Sequence, residues 1–125
     1  MLFRSPPRDC AIASCPCDDM NLQFHLPATP GDPFTLHLRE CVKSKSSIHI
    51  KGPRGEFTLD EDSARSLVFI ACNTGFGPVK SLVEHAMALD VAAHIHLCWI
   101  TTPGNSHYAG NLDRKSTRLN SSHRL

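Results

Sequence analysis

The hydrophobic positions change character near the middle of the chain. Up to Leu59 they alternate or fall in short runs broken by turn formers, whereas Leu67 opens a continuous apolar stretch. Ala11 to Ser14 and Leu22 to Leu26 are such short runs, separated by Pro16, Asp18 and Asp19, and they predict two strands of a small antiparallel unit. Pro27 to Pro33 form a proline-rich loop. Phe34 to Val42 place Leu38 and Val42 at helical spacing with Asp32 upstream as a cap, which predicts a short helix. Ser47 to Lys51 alternate as a strand, Gly52-Pro53-Arg54-Gly55 read as a turn, and Glu56 to Leu59 extend again. A domain boundary is expected in the charged stretch Asp60 to Ser63.

The run Leu67-Val68-Phe69-Ile70-Ala71-Cys72 is typical of a strand covered on both faces in a parallel sheet. Asn73 to Gly77 read as a flexible turn, and Pro78 suits the first helical position, where a missing N–H costs nothing. Val79, Leu82, Val83, Ala86 and Met87 then fall on one stripe, with Lys80 and Glu84 on the other face. Ile95 to Ile100 supply the next buried strand, so one strand-helix-strand unit with parallel strands is expected.

Composition narrows this picture only slightly. A chain of 125 residues holds one ordinary domain or pieces of two. A formal charge of +1 gives no reason to expect nucleic acid or an anionic membrane as a partner. No apolar run is long enough to span a bilayer, and the opening MLFRSPPRD lacks the apolar core of a secretory signal, so a cytoplasmic location is the default expectation. Six cysteines raise the question of disulfides or metal. Cys15 and Cys17 are too close for a C-x2-C knuckle, and Cys72 and Cys98 lie in apolar runs, so reduced, structural thiols and no metal site are expected. His94 and His96 share one face of a strand with no carboxylate nearby, and read as ordinary strand histidines.

Asp113 to His123 spell DRKSTRLNSSH, without apolar periodicity. That run is, codon for codon, what a common short-read sequencing adapter encodes in one frame. Residues 113–125 are therefore expected to be an adapter-derived, disordered artefact, and the natural sequence a fragment.

A strand feeding a glycine-bearing turn into a helix start is a place for an anion, because the first-turn N–H groups lack partners and the helix dipole is positive there. By itself T-G-x-G-P is a weak signal. The order of motifs is more specific. Gly52 to Leu59 (GPRGEFTL), then Leu67 to Leu89 with its turn, then a strand ending near Trp99 resemble the ferredoxin–NADP reductase superfamily, whose pattern is G-P-x-G-x-F-x-L followed by a hydrophobic strand and G-G-T-G-x-A-P. Upstream, Arg8 to Ser14 resemble the family's R-x-Y-S flavin motif, and Gly31 to Thr35 its second flavin element.

The resemblance implies an α/β plus β fold. Residues 1–59 would form a partial antiparallel flavin-binding β-barrel, and residues 60–112 the first strand-helix-strand of a parallel nucleotide-binding sheet. It implies FAD and NAD(P)H as cofactors, with Arg8, Cys10, Ala11, Gly31 and Thr35 at flavin positions and Cys72, Asn73, Thr74, Gly75 and Pro78 at nucleotide positions. Cys10 and Ala11 replace the family's stacking tyrosine and its serine, Cys72 and Asn73 its glycine pair, and Gly77 its alanine. No arginine follows Trp99 through Asn105 to meet a 2′-phosphate, which favours NADH over NADPH. The implied function is a flavoprotein oxidoreductase that passes electrons from NAD(P)H via FAD to an iron–sulfur protein or domain or another acceptor. The 2Fe-2S cysteine spacing of attached domains is not in this chain, and a fragment of this extent is expected to be inactive alone. The alternative is a non-catalytic flavin- or nucleotide-binding module.

Overall fold

The computed structural model describes residues 7–27 and 29–104, with the backbone of a further strand at Leu119–Arg124. Two compact units divide the chain: residues 1–10 with 26–57, and residues 11–25 with 58–125. The chain passes between the units at 10/11, 25/26 and 57/58. The hairpin segment 11–25 groups with the second unit, where the sequence reading gives it to the first.

In the first unit, helix α1 runs Pro33–Ser44. Asp32 is its N-cap, Pro33 occupies the first turn, where its missing N–H is no loss, and Lys45 at φ 53° closes the other end. Ser46 N–H donates to Cys41 O at 2.9 Å, so the last turn is satisfied by the residues that leave it. Cys41 is the buried position of this helix. Ser47 to Lys51 and Glu56 to Leu59 are not paired strands, because no neighbouring strand among the described residues takes up their main-chain groups. Ile48, Ile50 and Phe57 lie exposed there. The barrel expected for residues 1–59 is not among the elements of the described residues.

In the second unit, β1 (Leu67–Cys72) pairs in parallel with β2 (Ile95–Ile100), Leu67 opposite Ile95 and Cys72 opposite Ile100. Between them α2 runs Phe76–Leu89. It starts two residues earlier than Pro78 alone predicts, with Pro78 still in the first turn. The 3₁₀ turn Asn73–Gly75 joins β1 to α2 directly, so the expected flexible loop is instead helical. Asp90 at φ 55° ends α2, its N–H reaching Ala86 O at 3.1 Å.

The core lies between α2 and one face of the sheet. Phe76, Val79, Leu82, Val83 and Ala86 of α2 join Phe69 and Ala71 of β1 and Ile95, Leu97 and Trp99 of β2 in one buried cluster. Removing side chains of this size from water contributes about 1.5–3 kcal/mol each. The opposite sheet face is not covered among the described residues: Val68 and Ile70 are 67% and 68% exposed. Cys72 is exposed and Cys98 half-buried on that face, where the sequence reading expects buried thiols. A continuous apolar run predicts cover on both faces, and only one is supplied here. His94 and His96 stand side by side, ring centroids 6.4 Å apart. The described residues contain no cluster of three or more potential metal ligands.

The hairpin at 11–25 is a single antiparallel bridge, Ile12 opposite Phe24, with Ala13 N–H donating to Gln23 O at 2.8 Å. It rests on α2: Ser81 Oγ donates to Ser14 O at 2.7 Å, and Lys80 Nζ to Ala13 O at 3.3 Å. These bonds explain why 11–25 groups with the second unit. Within the hairpin, Cys15 and Cys17 form a disulfide, which corrects the expectation of reduced thiols throughout. One intervening residue brings the two sulfurs together even though the pair is too tight for a zinc knuckle.

Leu119–Arg124 is a third strand, β3, parallel to β2 with Leu119 opposite Ile95. Main-chain pairing to an open sheet edge needs an extended chain rather than particular side chains. Residues 113–118 and 125 lie outside the described residues.

Candidate functional site: two helix starts

The five nucleotide positions expected from the sequence meet at the carboxyl edge of β1 in the second unit. Asn73 sits in the left-handed region at φ 50°, which Asn tolerates better than most residues. Its side chain holds the loop after β2. Oδ1 accepts the Thr102 N–H at 3.0 Å, and Nδ2 donates to Thr102 Oγ1 at 3.0 Å. Its carbonyl accepts Trp99 Nε1–H at 3.1 Å. Trp99, 1% exposed, stacks on Phe76 with ring centroids 3.8 Å apart and planes 10° from parallel. The turn between β1 and α2 is thus tied from side chain, main chain and ring face to β2 and the loop that follows it. Next along, Thr101 is buried, and its hydroxyl has no hydrogen-bond partner among the described residues.

The start of α2 carries no side-chain cap, although the Phe76 N–H donates to Asn73 O and Thr74 O of the preceding turn. Gly75 is the N-cap of α2, and no acidic residue stands in its first turn. A Cβ at Gly75 would meet nothing within 4 Å. Gly77 differs: a Cβ there would lie 3.3 Å from His25 Cβ, so glycine in place of the family's alanine makes room for the hairpin. Burial, then the nearby Lys80 cation, hold the His25 imidazole below its ordinary pKa, with Glu84 opposing. Cys72 is exposed, Thr74 half-buried, and Pro78 half-buried in the first turn.

The flavin positions of the first unit have another character. Arg8 makes a two-pronged pair with Asp32, Nη1 to Oδ2 at 2.7 Å and Nη2 to Oδ1 at 2.8 Å. The guanidinium also lies 4.7 Å from the Phe34 ring centre. Asp32 accepts from Thr35 Oγ1 at 2.7 Å and Thr35 N–H at 3.4 Å, so Thr35 turns toward the cap. The Arg8 hydrogen bonds, then that from Thr35, hold the Asp32 carboxyl well below the usual carboxylate range. The same pairing raises the Arg8 pKa. Gly31, at φ 76°, allows the chain to turn into this cap. Cys10 is half-buried, its Sγ 3.6 Å from Arg8 O, and Ala11 is an exposed residue of the second unit. Arg8, Gly31 and Thr35 are therefore brought together, but around a carboxylate. A phosphate fits this cradle poorly while Asp32 holds both prongs of the fork.

Sequence reasoning did not identify Phe76, Trp99, Thr102 or the Arg8–Asp32 pairing as site features. Asp32 carried a signal as a cap. Its ion pair carried none, because two opposite charges 24 residues apart leave no local periodicity.

A parallel strand-turn-helix-strand with a helix start at the carboxyl edge is the build that seats dinucleotides in α/β proteins. No protein-family model matches the chain. It is 28% identical over 109 residues to the CDP-6-deoxy-L-threo-D-glycero-4-hexulose-3-dehydrase reductase of Yersinia pestis, covering 87% of this chain and 33% of that protein. It is 33% identical over 97 residues to an NAD(P)H-flavin reductase of Aliivibrio fischeri, covering 74% and 41%. It is 30% identical over 92 residues to reductase component 2 of terephthalate 1,2-dioxygenase from a Comamonas species, covering 74% and 27%. The full-length CYP116B46 structure from Tepidiphilus thermophilus superposes with a TM-score of 0.57 at 20% identity, over 93% of this chain and 15% of that one, a likeness of fold. The chain is thus similar, at low identity, to reductases of the ferredoxin–NADP reductase type that bind FAD and NAD(P). It spans 27% to 41% of the length of these three curated relatives.

Proposed function

We propose that the intact protein is a flavoprotein oxidoreductase moving electrons from NAD(P)H through FAD to an iron–sulfur or other acceptor, and that this chain carries the opening of its nicotinamide-nucleotide domain. The observation that carries this reading is the uncapped, acid-free start of α2 at the edge of β1, in a chain whose relatives are named as reductases. Thr74, Gly75 and the first-turn backbone of α2 would face the nucleotide phosphates, Pro78 would fix the entry of the helix, and Cys72 and Asn73 would border the nicotinamide approach. FAD and the nicotinamide nucleotide do the redox chemistry, and the protein positions them. NADH is favoured over NADPH because Thr101, Thr102 and Pro103 follow β2 where an arginine would meet a 2′-phosphate. No helix of the described residues is long and apolar enough to cross a membrane, and a cytoplasmic site of action is part of the proposal. Residues 1–59 as part of a flavin barrel, and 60–112 as part of the nucleotide domain, are likewise proposed.

A second reading has one observation in its favour. Arg8 is held by Asp32, and Cys10 and Ala11 offer neither ring nor hydroxyl to a flavin, which supports a nucleotide-binding module that does not retain flavin. Titrating the chain separately with NADH, NADPH and FAD, read by NMR shifts of the Gly75 and Gly77 amides, tests both readings. NADH-dependent shifts with weak FAD binding are expected. Shifts confined to other parts of the chain would overturn the nucleotide assignment. In a gene extended past both ends, a colourless protein would favour the module, and a yellow protein bleached by NADH the reductase.

A further inference from the structure

Cys15 and Cys17 enclose a single residue, Pro16, and form a disulfide in the hairpin of the second unit. Such a small loop makes a poor staple, because the denatured-state entropy a disulfide removes rises with the length of chain it encloses. Nor does the hairpin depend on it. Ala13 N–H to Gln23 O, Ser81 Oγ to Ser14 O and Asp18 N–H to Cys15 O, at 2.8, 2.7 and 3.0 Å, already pin the segment on both sides of the bridge. The two sulfurs also differ in setting. Cys15 is buried, 6% exposed, and its Sγ accepts the Cys17 N–H at 3.2 Å, while Cys17 is exposed. A hydrogen bond to sulfur stabilises the thiolate, and exposure admits an attacking thiol.

We propose that Cys15 and Cys17 are a redox-active pair that exchanges with external thiols, Cys17 being the sulfur attacked and Cys15 the thiolate released. An incoming thiolate bonds to Cys17 Sγ, the Cys15–Cys17 bond breaks, and its electron pair stays on Cys15 Sγ against the Cys17 N–H. A second thiol attacks the external sulfur of the mixed disulfide and frees Cys17. Two external thiols thereby become one disulfide, and the protein disulfide becomes two thiols with the two protons. In the oxidising direction the same steps reverse, and the one-residue spacing keeps the two thiols within reach of one another. The inference stands apart from the flavin and nucleotide reading, since no residue of either helix start takes part.

The full chain is equilibrated in glutathione buffers of graded reduced-to-oxidised ratio, quenched with an alkylating reagent, and mapped by peptide mass. Cys15 and Cys17 should convert together within the range those buffers span, as one two-electron unit. In Cys15→Ser, glutathione should accumulate on Cys17 at least about tenfold faster than on buried Cys41, and Cys17→Ser should leave Cys15 slow to react. Wild-type titration needs no variant, so a misfolded mutant cannot mask the outcome. A pair alkylated in every buffer, a disulfide that opens only on denaturation, or a bridge mapped from either residue to another cysteine would overturn the proposal.

Discussion

The starts of α1 and α2 are the same backbone feature finished in opposite ways. At α1 an aspartate caps the first turn and an arginine neutralises that aspartate, so the partial positive charge of the helix end is satisfied from within the chain. At α2 a glycine stands at the cap, no acid enters the first turn, and the ties that hold the turn come from behind it, through Trp99 and Thr102. The difference teaches that a helix start becomes available to an external anion only where rigidity comes from somewhere other than the cap. Family resemblance alone gives both starts a phosphate. Their hydrogen bonds give the second a far better claim to one.

The hardest way to break the comparison is to remove what holds α2 from behind. Phe76 is fully buried against Trp99, so Phe76→Ala deletes a stacked ring from the core and should cost about 3–5 kcal/mol. Because Trp99 is the one tryptophan, its fluorescence in a denaturant titration reads the second unit directly. A midpoint unchanged from wild type would mean that the stack does not support the turn.

Gly75→Asp would make α2 resemble α1. The space around that position is open, so the fold should tolerate it with a stability change within about 0.5 kcal/mol. Affinity for NADH should fall about tenfold or more, because a carboxylate then occupies the place offered to phosphate. The converse variant, Asp32→Ser, keeps a capping oxygen and releases Arg8. It should raise the affinity of α1 for inorganic pyrophosphate about tenfold, measured by calorimetry. No gain would show that Arg8 is not aimed at a phosphate even when freed.

How much of this was legible beforehand follows from what each feature depends on. β1, α2 and β2 were readable because six apolar residues in a row, a five-position stripe and a second apolar run are properties of neighbouring positions. The α1 cap was readable for the same reason. The Asn73–Thr102 clasp, 29 residues apart, and the Phe76–Trp99 stack exist only once the parallel register is set. Ser47 to Lys51 show the opposite case, since alternation marks a segment able to pair but cannot supply the partner. The open face bearing Val68 and Ile70 fits a chain that spans at most 41% of the relatives named above.

A smaller effect sharpens the clasp. Asn73→Gly keeps the positive φ and removes only the side chain, whereas Asn73→Ala removes the side chain and adds strain in the left-handed region. The glycine variant should cost about 1 kcal/mol, the net worth of the lost hydrogen bonds, and the alanine variant more. Amide exchange at Thr102 should quicken in both. Equal stability in the two variants would mean that the backbone at 73 relaxes out of the left-handed region.

The weakest handle is acid, and it separates the two units by the pH at which each responds. His25, held neutral by burial beside α2, has its folded pKa below the unfolded value of about 6.5, so the unfolded chain binds the extra proton. Stability of the second unit should therefore begin to fall as pH drops through about 6.5 and level off once the lower folded pKa is passed. Asp32 is also depressed, but it is an acid: its contribution is fully present above the unfolded pKa of about 3.9 and is lost only as pH falls from there toward its much lower folded value. Amide exchange in α2 should thus loosen as pH falls below about 6.5 while that of the first turn of α1 stays constant, and α1 should follow only below about pH 4. His25→Gln should flatten the first limb and leave the second. If the order is reversed, Asp32 is not paired with Arg8 in solution, and the contrast between a capped and an uncapped helix start fails with it.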